Sequence, residues 1–447
     1  MLSSFKAATT TNRCFINKAS RHISARSIWT KVTATGPTSR ECAKVAIDSV
    51  KGKDRFSTAP DICVALISKS FTLSQYQDVL HDLDTQLHNP KILIGGVIDR
   101  VPELNHGVSL LLGYNEKVVP FFIKDDQQRL KVRNISVGRW GRVDDRERIA
   151  FQNDYIDTKG WGKPDLVSSA VQEFTLPEGL SAADQTPPSF IFMLSDNEPE
   201  QLLHTLDHHY PEIPKLGIVG ASTPFITGTP YTLFKSAKEI VGSGIVGFAS
   251  YNNDSSSSVS NDDVKINYTA IEKLGEPMKI TRCQGNVILD VEQGGPTGLL
   301  LRLIQNRPKI SKDEEFYLGV YPSQEQNTAS AMANMTVNKI TSGDPGRGSM
   351  SIDTTATLKV GQMIQFFTKK SLGFKNVSSD LMEKEEIALG VSGKDFTIDA
   401  TVVEVPKEPK ITTDVFGGVS ENGIIVGRKS APTQLLDVPY SRLSFKL

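Results

Sequence analysis

The sequence is short of cysteine, of net charge and of long apolar runs, and each shortage excludes something. The four cysteines, Cys14, Cys42, Cys63 and Cys283, form no CxxC pair and have no histidine at ligand spacing. That excludes a disulfide scaffold and suits a reducing compartment. Cys63 falls in the apolar run Ile62–Ile67 and reads as a buried structural thiol. No apolar run reaches the roughly 18 residues of a helical membrane span. The longest, such as Gly107–Gly113, are strand-sized, so no transmembrane segment is expected. With 50 Lys and Arg against 51 Asp and Glu, the net charge is −1, and nucleic acid is not an expected partner.

Acids are missing from one place in particular. Residues 1–40 carry Lys6, Arg13, Lys18, Arg21, Arg26, Lys31 and Arg40 and no Asp or Glu, with Leu2, Phe5, Phe15, Ile16, Ile23 and Ile28 among the bases. A basic, hydroxylated, acid-free and amphipathic start is the composition of a mitochondrial transit peptide, whereas a secretory signal needs a continuous apolar stretch. Residues 1–35 are read as such a leader, with cleavage near Arg26–Thr30, and the expected location is the mitochondrial matrix.

The rest of the chain is long enough for two or three domains, at about 100–200 residues each. Asp61–Ser68 is an apolar run too short for a helix and reads as a buried strand. Leu73, Tyr76, Val79, Leu80, Leu83 and Leu87 recur at helical spacing, so Thr72–Leu87 is an amphipathic helix that Asn89-Pro90 stops. Lys91–Ile98 returns as a strand, which makes a crossover between parallel strands. Val108–Leu112 and Val118–Ile123 flank a Gly-Tyr-Asn-Glu turn and read as an antiparallel hairpin. The same order recurs as Ser189–Leu194, a helix over Glu198–Tyr210, Pro214–Gly220, Tyr231–Phe234 and Ile245–Ala249.

Residues match as well as elements. His81-Asp-Leu-Asp before Pro90-Lys-Ile-Leu-Ile-Gly-Gly resembles His204-Thr-Leu-Asp before Pro214-Lys-Leu-Gly-Ile-Val-Gly. The first domain, residues 40–253, therefore reads as an internal duplication of a β-α-β-β-β unit with a polar insertion over 124–188. A serine-rich linker, residues 254–263, separates it from a smaller α+β domain, residues 264–447, that is mostly strands with a helix over Thr297–Gln305. The expected class is α+β, with mixed sheets and helices packed on them.

Three stretches carry a resemblance. Ser189–Ser250, with Pro214-Lys-Leu-Gly-Ile-Val-Gly-Ala-Ser and Gly242-Ser-Gly-Ile-Val-Gly-Phe-Ala, resembles the N-terminal FIST domain. Leu274-Gly-Glu-Pro-Met-Lys-Ile-Thr with Gly285-Asn-Val-Ile-Leu-Asp, and the closing Phe416-Gly-Gly-Val-Ser-Glu-Asn-Gly, resemble the C-terminal FIST domain. The likeness covers residues 40–447 and is to the fungal type of tandem pair, without an F-box. It implies an intracellular sensory module for signal transduction that binds a small ligand such as an amino acid. The animal pairs, joined to an F-box, imply instead an adaptor that recruits proteins for ubiquitination.

No chemical motif points to an enzyme. Gly242-Ser-Gly244-Ile-Val-Gly247 has the dinucleotide-loop spacing, but strand-forming residues come next where a helix must begin, so no cofactor is expected. His204 and His208 stand four apart without a third ligand or a basic carboxylate, and His204 is placed on the apolar side beside Leu203; no metal is expected. No nucleophile elbow or phosphate loop is present, and no catalytic residue is assigned. The candidate ligand residues are the glycine ends of the two crossovers, Gly95, Gly96 and Gly220 with Ser222 and Thr223, where free N–H groups and hydroxyls meet an anionic oxygen. Gly295 and Thr297, at a helix start, form a second candidate anion site. Trp140 and Trp161 in the insertion are candidate partner contacts, because tryptophan dominates interface hot spots. Three readings are open: a small-molecule sensor, first; a protein-binding adaptor; and a small-molecule enzyme.

Overall fold

The computed structural model describes residues 28–51, 58–102, 106–124, 175–181, 186–196, 198–251, 264–305, 314–321, 335–354, 356–370, 386–393, 407–429 and 431–447. The protein is mixed α+β and strand-rich, with three open sheets and one closed barrel.

The helix and both crossovers form where local pattern places them. Leu73–Gln86 is helical, and its start is closed by the Gln75 side-chain oxygen accepting the Thr72 amide over 2.8 Å. His88 and Asn89 then turn left-handed, at φ 61° and 58°, and end it. Ile62–Ser68 and Ile92–Ile98 flank this helix and pair in parallel; Phe190–Ser195 and Lys215–Val219 flank the helix Glu200–His209 and do the same.

Side-chain alternation divides these strands between two cores. Ile62, Val64 and Leu66 face Phe190, Phe192 and Leu194 of the other crossover, so the two sheets pack face to face. The alternate residues Cys63, Ala65 and Ile67 face Tyr76, Val79, Leu80 and Leu83 together with Ala43, Ala46 and Ile47 of a second helix, Ser39–Lys51. Leu202, Leu203 and Leu206 cover Ile191 and Met193 from the far side. The result is a helix, sheet, sheet, helix stack, and burial on both faces is why these strands read as unbroken apolar runs. Cys63 is fully buried, and burial pushes its thiol up to about 12, the inert state expected for it.

Three expectations are corrected. Gly107–Tyr114 and Lys117–Ile123 do not form a hairpin. Both edges of Gly107–Tyr114 are occupied, by Ile28–Thr35 and by Ile62–Ser68, so Lys117–Ile123 crosses to the other sheet and pairs with Ile245–Tyr251. The plain β-α-β-β-β order therefore does not describe either sheet, although in each one an antiparallel strand flanks the first strand of the crossover.

The span read as a leader, residues 1–35, overlaps the fold. Ile28–Thr35 is an inner strand, held between Gly107–Tyr114 and Lys410–Thr413, with Trp29 stacked on Phe248 at 5.9 Å. Cleavage near Arg26–Thr30 would cut into this strand. Residues 1–27 lie outside the described residues, as do most of the 124–188 insertion and the 254–263 linker.

The two expected units, residues 40–253 and 264–447, share sheets in space. Lys410–Thr413 completes the first sheet, and Ile424–Arg428 with Ala431–Leu436 completes the second. Among the described residues, two sheets draw every strand from the second half: the four-stranded sheet of Val264–Tyr268, Ser441–Lys446, Glu386–Val391 and Val415–Ser420, and the barrel of Ile271–Gln284, Val287–Val291, Phe316–Val320, Thr336–Gly343, Met350–Ile352 and Met363–Lys369. The barrel interior is filled by Leu274, Ile280, Leu318, Ile364 and Phe366, capped by Leu299 and Leu300 of the helix Pro296–Gln305.

Candidate functional site

The carboxyl ends of the two crossovers meet. The Ala221 amide donates to the Val97 carbonyl over 2.9 Å, and the Val97 amide donates to Thr232 O over 2.9 Å. The Gly220 amide donates to Ser195 O over 2.8 Å, while its carbonyl accepts from the Asn422 side chain over 2.9 Å. The backbone just after the candidate glycines Gly96 and Gly220 is thus brought together at Val97 and Ala221.

They do not form a cradle. Gly95 and Gly96 lie within the strand, opposite Ala65 and Leu66 on one side and Phe234 and Leu233 on the other. A Cβ on Gly95 would stand 1.9 Å from the Ala65 carbonyl oxygen, and one on Gly96 would meet Leu194 and Leu233 at 3.1 Å. These glycines allow close strand packing, and leucine side chains fill the space beside them. Around Gly220 the neighbours are Leu233 and Tyr231 at 3.5 Å. Its N–H and carbonyl are both already paired.

Ser222 is exposed, whereas Thr223 is buried and its hydroxyl lies 2.7 Å from that of Thr232. Thr223 thus anchors the turn after it and is not free for a guest. The second candidate site is closed too. Gly295 packs on Gly348, where a Cβ would come within 2.6 Å, and Thr297 donates its hydroxyl to Ser349 O over 2.5 Å and its amide to Gly348 O over 3.0 Å. Trp140 and Trp161 lie outside the described residues. His204 is exposed rather than on the apolar face, and His208 stacks edge-on against His209 at 5.1 Å.

A charged cluster that sequence reasoning missed ties the junction together. Asp99, directly after Ile92–Ile98, is buried and pairs with Lys69, directly after Ile62–Ser68, at 2.6 Å. Lys69 also reaches Glu421 at 3.1 Å, while Asp99 accepts the Glu421 amide and, over 3.3 Å, the Ser392 hydroxyl. Burial raises the Asp99 carboxyl above its ordinary range despite the Lys69 ammonium beside it. Asp196 plays the matching part in the second sheet, accepting the Gly244 amide over 2.7 Å. That bond, with Gly244 held at φ 107°, accounts for the middle glycine of the string at 242–247, while Gly242 and Gly247 pack closely on Thr229 and Phe121.

Beside this junction is an open cleft of about 370 Å³, at the low end of ligand-pocket sizes. Its walls are Leu73 and Gln77 on the helix just after Lys69, and Thr227, Thr229 and the 237–242 segment on the other side. Compared with protein-family models and with curated proteins, the chain matches none. Of the sequence-assigned residues that are described, none lines this cleft. A threonine-dense stretch, Thr223, Thr227, Thr229 and Thr232, was its one signal in the sequence. Those hydroxyls bond to one another across the turn, which shapes the wall.

Proposed function

We propose that this protein binds a small molecule in the cleft between the helix Leu73–Gln86 and the segment Thr227–Gly242, and that it works as a non-catalytic sensor. The cleft itself carries this reading. It opens beside the carboxyl ends of a parallel strand pair, the edge at which such crossovers receive ligands, and its 370 Å³ suits a metabolite rather than a polymer. The resemblance to tandem FIST domains, whose bacterial members are sensory modules for ligands such as amino acids, supports it. The glycine ends expected to line the site are replaced in this reading by Gln77, Thr229, Lys238 and Val241. A metabolite-library thermal-shift screen on the full chain tests it: a hit that raises Tm and is lost in Gln77→Trp, an exposed position where the larger ring fills the mouth, supports the site. A hit unaffected by Gln77→Trp places the ligand elsewhere.

The acid-free stretch ahead of Ile28 supports a second proposal, delivery to the mitochondrial matrix.

A further inference from the structure

The cleft is chemically one-sided. Its polar walls are Gln77, Thr227, Thr229 and Lys238, which supply one cation and, among the described residues, no carboxylate. The hydroxyls are committed to the protein: Thr229 donates to Tyr231 O over 2.7 Å, and Thr227 Oγ1 lies 3.0 Å from the hydroxyls of both Thr229 and Thr232. The Gly242 carbonyl, a backbone acceptor of the lining, already takes the Tyr231 amide. Glu239, the nearest acid in sequence to Lys238, is held by Lys235 at 2.9 Å. The groups left to meet a guest are the Lys238 ammonium, the Gln77 amide, and the apolar surface of Leu73, Ala237, Ile240 and Val241.

We propose that the cleft selects a small organic monocarboxylate with a short apolar body. This rests on the cleft being the ligand site. A carboxylate gains a charge-assisted partner in Lys238 while its hydrocarbon covers Ile240 and Val241. An α-ammonium group entering the same cleft loses water, meets no anion and stands against the Lys238 ammonium with the neutral Gln77 oxygen as its side-chain acceptor, so a zwitterion binds less well than the simple acid of the same shape.

The test titrates the full chain with 4-methylpentanoate, leucine and 3-methylbutylamine by calorimetry. The acid is expected to bind about tenfold tighter than leucine, with the amine weakest, and Lys238→Gln to weaken the acid about tenfold while Lys238→Arg retains it. Leucine binding as tightly as the acid, or acid binding indifferent to Lys238→Gln, overturns the selectivity and leaves the cleft as the ligand site. If none of the three binds, the selectivity falls, and the site survives only if a library hit is lost in Gln77→Trp. No hit sensitive to Gln77→Trp removes both.

Discussion

The Ala221 amide donates to the Val97 carbonyl over 2.9 Å, joining the ends of two parallel crossovers that belong to different sheets. Each crossover alone would leave its carboxyl edge open. Joined this way, and closed by the Ser420–Gly423 turn through Asp99 and Asn422, the edges become a structural seam, and the cleft opens to one side of it.

Gly95→Ala is expected to destabilise the protein by about 3 kcal/mol or more, because the new methyl meets backbone at 1.9 Å. Gly96→Ala, whose new neighbours include movable leucine side chains at 3.1 Å, should cost only about 1 kcal/mol. Urea unfolding measures both. Equal, negligible costs would mean that these glycines are free of packing, as a ligand cradle requires.

Asp99→Ala leaves the Glu421 amide and the Ser392 hydroxyl without their acceptor at the seam, and Lys69 with Glu421 alone. The expected cost is about 3 kcal/mol, accompanied by faster limited proteolysis within residues 420–423. A stable variant with unchanged cleavage would show that the cluster does not hold the turn.

Glu116 is buried where the chain passes from one sheet to the other. Burial raises its carboxyl to about 7, against a weak hydrogen bond from Ser250 at 3.3 Å and with Asp61 nearby adding to the rise. Its folded pKa thus lies above its unfolded value, so the folded state holds the extra proton between about pH 4.5 and 7. Stability from this group falls as pH rises across that window and is flat below it. The total is on the order of 3 kcal/mol. Unfolding free energies at pH 5, 6 and 7.5 should show the decline in the native chain and lose it in Glu116→Gln; identical slopes would refute it.

Residues 1–27 fused to a fluorescent protein should direct it to mitochondria. Shortening the leader to end before Ile28, rather than at residue 35, keeps the buried strand intact in the remaining chain. A diffuse cytosolic signal from the fusion would remove the localisation proposal.

Local pattern was enough for the two crossovers. The spacing of Leu73, Tyr76, Val79, Leu80 and Leu83 and the apolar runs at 62–68 and 92–98 act over one or two turns of chain, and the observed elements end within about two residues of the expected ones. An apolar run reports that a strand is buried, but not which strand lies beside it. Pairing is decided by which edges are already taken. That is why Lys117–Ile123 leaves its neighbour, why Ile28–Thr35 became part of a sheet despite a basic leader-like composition, and why strands beyond residue 409 complete sheets begun before residue 100. The cleft is of the same kind. Gln77 and Lys238 carry no motif, and the pairing of Gly95 and Gly96 with the Leu233–Phe234 strand, with Phe234 packed on Tyr76, brings their segments face to face.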